Sequence, residues 1–78
     1  GGADGPVVSA LPAIRASERV VSELRGGLED NPGGSEVRLR LQEPGRTTLM
    51  QLDKRLSVTP SAALYASLKT LLGPSCLQ

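Results

Sequence analysis

The chain has 78 residues, nine Lys and Arg against eight Asp and Glu, no His, one Cys and a formal net charge of +1. At that length it is a single domain near the lower limit for a self-sufficient core. With no Phe, no Trp and only Tyr65, the core has to be thin and aliphatic. Near-neutral charge and missing aromatics weigh against a dedicated nucleic-acid binder, which needs a basic excess and platforms for stacking bases. Without His, the commonest general base and metal ligand are gone.

The leading residues Gly1–Gly5 read as a flexible linker or an expression remnant, and residues 6–78 as one small α/β interaction domain. Prolines at Pro6 and Pro12 bracket a short apolar strand, which suits a residue that cannot donate to a central ladder. Ser17 is a favourable N-cap with Glu18 beside the positive helix end, and Val20, Val21, Leu24 and Leu28 recur at helical spacing, with Ile14 leading in. Gly26-Gly27 weakens the last turns of that helix, and Asn31-Pro32-Gly33-Gly34 ends it.

Val37, Leu39 and Leu41 then alternate with Arg38, Arg40 and Gln42, the period-two pattern of a half-buried strand. Glu43-Pro44-Gly45-Arg46 is a tight turn, with Pro presetting its second position and Gly supplying positive φ at the third. Pairing Glu43 with Arg46 sets Leu41 against Thr48, Leu39 against Met50 and Val37 against Leu52. All six then share the core face, and Arg38 and Arg40 look outward beside Gln51 and Leu49. Leu56 and Val58 suggest a short strand continuation. Thr59 is the expected N-cap of a second helix, with Pro60 at its first position and Leu64, Leu68, Leu71 and Leu72 facing inward. Gly73 is placed to cap that helix in a left-handed conformation, and Pro74 forbids continuation. Residues Ser75 to Gln78 form either a closing edge strand or a frayed end. The predicted fold is an α/β (α+β) two-layer sandwich of order β-α-β-β-α(-β), with two helices packed on one face of a short sheet.

Little in this chain looks catalytic. Glu29 and Asp30 are adjacent, so on a helix they diverge by about 100° rather than converge. Neither glycine pair stands between a strand and a helix N-terminus with a following Lys-Ser/Thr, as a phosphate loop requires. Cys76 has no His to activate it, and as the lone Cys it makes no internal disulfide and no zinc cluster. No cofactor is implied. A reducing, cytoplasmic setting fits the cysteine usage, and no apolar run is long enough to cross a bilayer. Arg38, Arg40, Arg46, Lys54 and Arg55 gather along the hairpin, either as a solubilising surface or as a patch for an acidic partner or a phosphate backbone. The apolar residues after the second helix serve either as core or as an exposed anchor.

Taken together, Asn31-Pro32-Gly33, Val37-Arg38-Leu39-Arg40-Leu41, Leu56-Ser57-Val58-Thr59-Pro60-Ser61 and Leu71-Leu72-Gly73 form an ordered pattern. It resembles the extreme C-terminal domain of the bacterial DNA polymerase III alpha subunit of the DnaE type, over roughly Val20 to Leu77. The resemblance implies a small α/β sandwich that is not itself an enzyme and that tethers the polymerase in the replisome by docking the tau subunit of the clamp loader. On that reading the partner-binding residues are Leu72, Gly73, Cys76, Leu77 and Gln78, with Arg38 and Arg40 as a second patch, and the isolated domain is a monomer. Two rivals remain: a small nucleic-acid-binding domain using the hairpin arginines, and a structural domain packing on an upstream OB-fold.

Overall fold

The computed structural model describes residues 5–77. In chain order they form strand β1 (Val7–Pro12), helix α1 (Glu18–Glu29), short strand β2 (Pro32–Ser35), strands β3 (Val37–Glu43) and β4 (Arg46–Gln51), and helix α2 (Ala62–Leu72). Single 3-10 turns at Ala13–Arg15 and Lys54–Leu56 complete the connections.

The sheet has the order β1-β3-β4, with β1 parallel to β3 and β3 antiparallel to β4. A parallel pair cannot be joined by a hairpin, and the segment carrying α1 provides the crossover. Val7, Ser9 and Leu11 stand beside Val37, Leu39 and Leu41, and across the hairpin Leu39 meets Met50. Alternation puts this set on one face. Val20, Leu24 and Leu28 from α1 and Leu64, Leu68 and Leu72 from α2, each set spaced by four, close the layer over it. Both helices therefore cover one face, as expected. Ser9, fully buried in this layer, donates its hydroxyl to the Ala10 carbonyl at 3.2 Å, which satisfies a polar group the core would otherwise penalise.

The hairpin keeps the expected register, from Glu43 against Arg46 to Arg38 against Gln51, and Leu52 donates to the Val37 carbonyl at 3.0 Å. Gly45 has φ +74°, the left-handed turn conformation that favours glycine. Thr48, expected on the core face, is exposed because the hairpin tip runs beyond the helix layer.

Local signals misled at four other places. Ile14 does not lead the α1 stripe: it is 94% exposed on a 3-10 turn that precedes the cap, and Val21 is exposed as well. Helical spacing has no force ahead of Ser17, whose hydroxyl accepts from the Val20 N–H at 3.2 Å and starts α1 as expected. The segment after Asp53 is not a strand continuation but the 3-10 turn Lys54–Leu56, and Val58 alone bridges Pro32 and Ser35. The cap of α2 is Ser61, which accepts from the Leu64 N–H at 3.1 Å, so the helix opens at Ala62 rather than Pro60. Thr59 is engaged elsewhere: its N–H donates to the Asn31 carbonyl at 2.8 Å and its hydroxyl to the Pro32 carbonyl at 2.7 Å. Gly73 has the anticipated positive φ of +109°, but its ψ of 154° is extended, and the chain then turns over Pro74-Ser75, where the Cys76 N–H donates to the Gly73 carbonyl at 3.2 Å.

These contacts make a clamp from two distant motifs. The Asn31 side chain donates to the Gly27 carbonyl at 2.9 Å at the end of α1 and accepts from the Ser61 hydroxyl at 3.4 Å at the start of α2. Gly33 donates to the Ser57 carbonyl at 3.1 Å. Two helix ends and β2 are thereby fixed to one another through a few hydrogen bonds. A side chain at Gly33 would place its Cβ 2.6 Å from the Val58 carbonyl carbon, so only glycine permits this approach.

Candidate functional site

The turn from Gly73 to Cys76 returns the chain to β1. Ala10 donates to the Cys76 carbonyl at 2.7 Å, and Leu77 bridges Ser9 in antiparallel sense. The tail is thus a closing edge strand, if a minimal one. Cys76 is buried and Leu77 half-buried against the core. Leu72 and Cys76, both candidate contact residues, present little side chain to a partner in this arrangement and instead support the surface above them. Together with Gly73 they line a shallow cleft of about 340 Å³ with Ala10, Pro12, Arg15 and Gln42. Gln78 lies outside the described residues.

Arg38 and Arg40 occupy the sheet face turned away from the helices. The ladders set Val8, Arg38 and Gln51 in one row, Ala10, Arg40 and Leu49 in the next, and Pro12, Gln42 and Thr47 in the third. Arg38 is half-buried, Arg40 exposed, and Leu49 is 61% exposed. Because Ala10, Pro12 and Gln42 also line the tail cleft, the arginine rows and the tail form one continuous surface.

The other hairpin cations do not join it. Arg46 has the opposite strand parity and meets Glu43 at 3.4 Å. Lys54 and Arg55 lie on the 3-10 turn near α1, and Arg55 meets Asp53 at 3.3 Å. The Asp53 carboxyl is held below the usual carboxylate range, first by the Arg55 backbone N–H at 2.9 Å and then by its guanidinium. Both of these ion pairs are solvent-exposed and stabilise little. Arg15 is the cleft residue that sequence reasoning missed, since a cation on an irregular turn carries no periodic signal.

Among the described residues no group of three His, Cys, Asp or Glu could hold a metal ion. No helix among them is long and apolar enough to cross a membrane. What the geometry offers is a surface that carries cationic and apolar side chains.

The chain is 46% identical over 72 residues to DNA polymerase III subunit alpha of Mycobacterium tuberculosis, and 42% identical over 74 residues to that of Mycobacterium leprae. These alignments cover 92% and 95% of the chain. The chain is homologous to a segment of DNA polymerase III subunit alpha. The subunit of that name from Saccharopolyspora erythraea is 32% identical over 71 residues, or 91% of the chain. The chain spans about 6% of the length of these curated relatives, and so corresponds to a small piece of the alpha subunit. No protein-family profile matches it. No solved structure matches it either.

Proposed function

We propose that this chain is a docking domain of a DNA polymerase III alpha subunit, acting in cytoplasmic DNA replication, and that it tethers the polymerase by binding the tau subunit of the clamp loader. The observation that carries this reading is the tail cleft continuing into the uncovered sheet face, with Arg15 lining the cleft beside Ala10 and Pro12 and with Arg40 and Arg38 in the adjoining rows of the sheet. A cationic rim around a small apolar floor suits a protein partner: the charges steer the encounter and the desolvated centre holds it. Gly73 sets the path of the tail, Leu72 and Cys76 anchor it from below, and Leu77 extends it. The domain acts as a monomer towards its partner.

The test is a titration of tau against the chain and against an Arg15→Glu, Arg38→Glu double variant, which touches no core residue. The reading predicts an affinity at least about tenfold weaker in the variant, with a shallower salt dependence. Equal affinity for both chains would remove this surface from the contact. Binding of a single-stranded oligonucleotide to the same face, falling steeply with salt, would favour a nucleic-acid module instead.

A further inference from the structure

We infer that the open edge of β4 receives an extended, acidic segment of a partner polypeptide as an added strand. The inference concerns the edge of the sheet remote from the tail cleft and does not depend on the tau reading.

Among the described residues β4 pairs with β3 on one side and with nothing on the other, whereas the free side of β1 is occupied by Cys76 and Leu77. The Leu52 amide points into the hairpin, towards the Val37 carbonyl. Alternation therefore sends the amides of Thr48 and Met50 inward and those of Thr47, Leu49 and Gln51 outward, where they have no strand partner among the described residues. Sheet proteins blunt such rows with proline, bulges or inward-pointing charges. Arg46–Gln51 contains no proline, and its only charged residue is Arg46 at the first position, tied to Glu43. Thr47, Leu49 and Gln51 are exposed, with Leu49 at the centre. The edge thus keeps the geometry of a strand acceptor.

Charge selects the occupant. From Glu36 to Arg55 five cations (Arg38, Arg40, Arg46, Lys54 and Arg55) stand against three anions (Glu36, Glu43 and Asp53), while the rest of the chain has an excess of anions. Cations lie at both ends of β4, and Lys54 has no ion-pair partner among the described residues. A second copy of this chain would bring the same positive excess to the edge. A segment alternating apolar and acidic residues satisfies both the exposed Leu49 and the flanking charge.

The probe is a blocked hexapeptide of alternating valine and glutamate, titrated into the isotope-labelled chain at low salt and followed residue by residue by NMR. The expected result is shifts at Thr47, Leu49 and Gln51, slower exchange of those three amides, and at least about tenfold weaker binding of a lysine-for-glutamate peptide. N-methylation of the peptide amides that would face β4 should abolish binding, whereas methylation of the opposite edge should leave it intact. Leu49→Pro should also abolish it, because it removes an outward N–H and no hairpin bond. If that variant fails to fold, the methylated peptides decide the matter alone. Four results would overturn the inference: no response of β4 at millimolar peptide, equal binding of the lysine peptide, indifference to methylation, or protection of the same amides by self-association or a single-stranded oligonucleotide.

Discussion

The two edges of the sheet have opposite treatments. At β1 the chain spends Pro74–Leu77 on closing the edge, with one short hydrogen bond from Ala10 to Cys76 and a bridge from Ser9 to Leu77. At β4 among the described residues nothing covers the strand, and its outward positions Thr47, Leu49 and Gln51 are exposed. In so short a segment, covering one edge is a stability device, and the edge left open is the one to which the proposed strand addition is assigned. The contrast also separates residues that hold the molecule together from residues free to meet a partner.

The largest expected effect lies on the closed side. Leu72 is buried under the tail and packs in the core, so Leu72→Ala should cost about 2–5 kcal/mol through lost burial and a cavity. Leu49→Ala on the open side should stay within about 0.5 kcal/mol. Chemical denaturation of both variants checks the difference, and equal losses would erase the contrast. The clamp that receives the chain after β4 comes next. Gly33→Ala should destabilise by about 1–3 kcal/mol, because a Cβ there meets the backbone of Val58 and Thr59. The midpoint of thermal unfolding reports it.

Gly26 and Gly27 behave differently from Gly33, although all three are glycines near the end of α1. A Cβ at Gly26 or Gly27 meets nothing within 4 Å, so no contact requires glycine there. Gly26→Ala should therefore stabilise the chain by up to about 1 kcal/mol through helix propensity, which would appear as a higher unfolding midpoint. The smallest effect concerns Asp53 beside the open edge. Its folded pKa lies below the unfolded value, so its contribution is present above the unfolded pKa and is lost as pH falls through the folded one. Asp53→Asn should slightly flatten the acid side of the stability–pH curve and leave stability near neutral pH almost unchanged relative to the size of the core effects.

Much of this architecture is legible in the sequence where the signal is local. The turn Glu43-Pro44-Gly45-Arg46 and the alternation on either side fix the hairpin register, and with it the outward placement of Arg38 and Arg40. Ser17 and the spacing of Val20, Leu24 and Leu28 fix α1. Long-range pairings leave no such trace. Thr59 and Ser61 are equally good caps by local chemistry, and only the bonds from Thr59 to Asn31 and Pro32 decide between them. Val58 reads locally as part of a strand, yet among the described residues its bridges are isolated ones, to Pro32 and Ser35 of β2. The same holds for the candidate site. Cys76 and Leu72 read equally as anchor or as core until the tail is seen against β1, and Arg15 enters the cleft because β1 and the tail meet there. The clamp is built from two of the motifs that carry the resemblance, Asn31-Pro32-Gly33 and Val58-Thr59-Pro60-Ser61, so local pattern and long-range contact coincide there.

The asymmetry of the two edges is tested most directly by native-state amide hydrogen exchange on the free chain. The structure predicts slow exchange for Ala10, whose N–H is held by the Cys76 carbonyl, and an alternation along β4 in which Thr48 and Met50 are protected and Thr47, Leu49 and Gln51 exchange quickly. Fast exchange at Ala10, or protection of Leu49 equal to that of Met50, would contradict it.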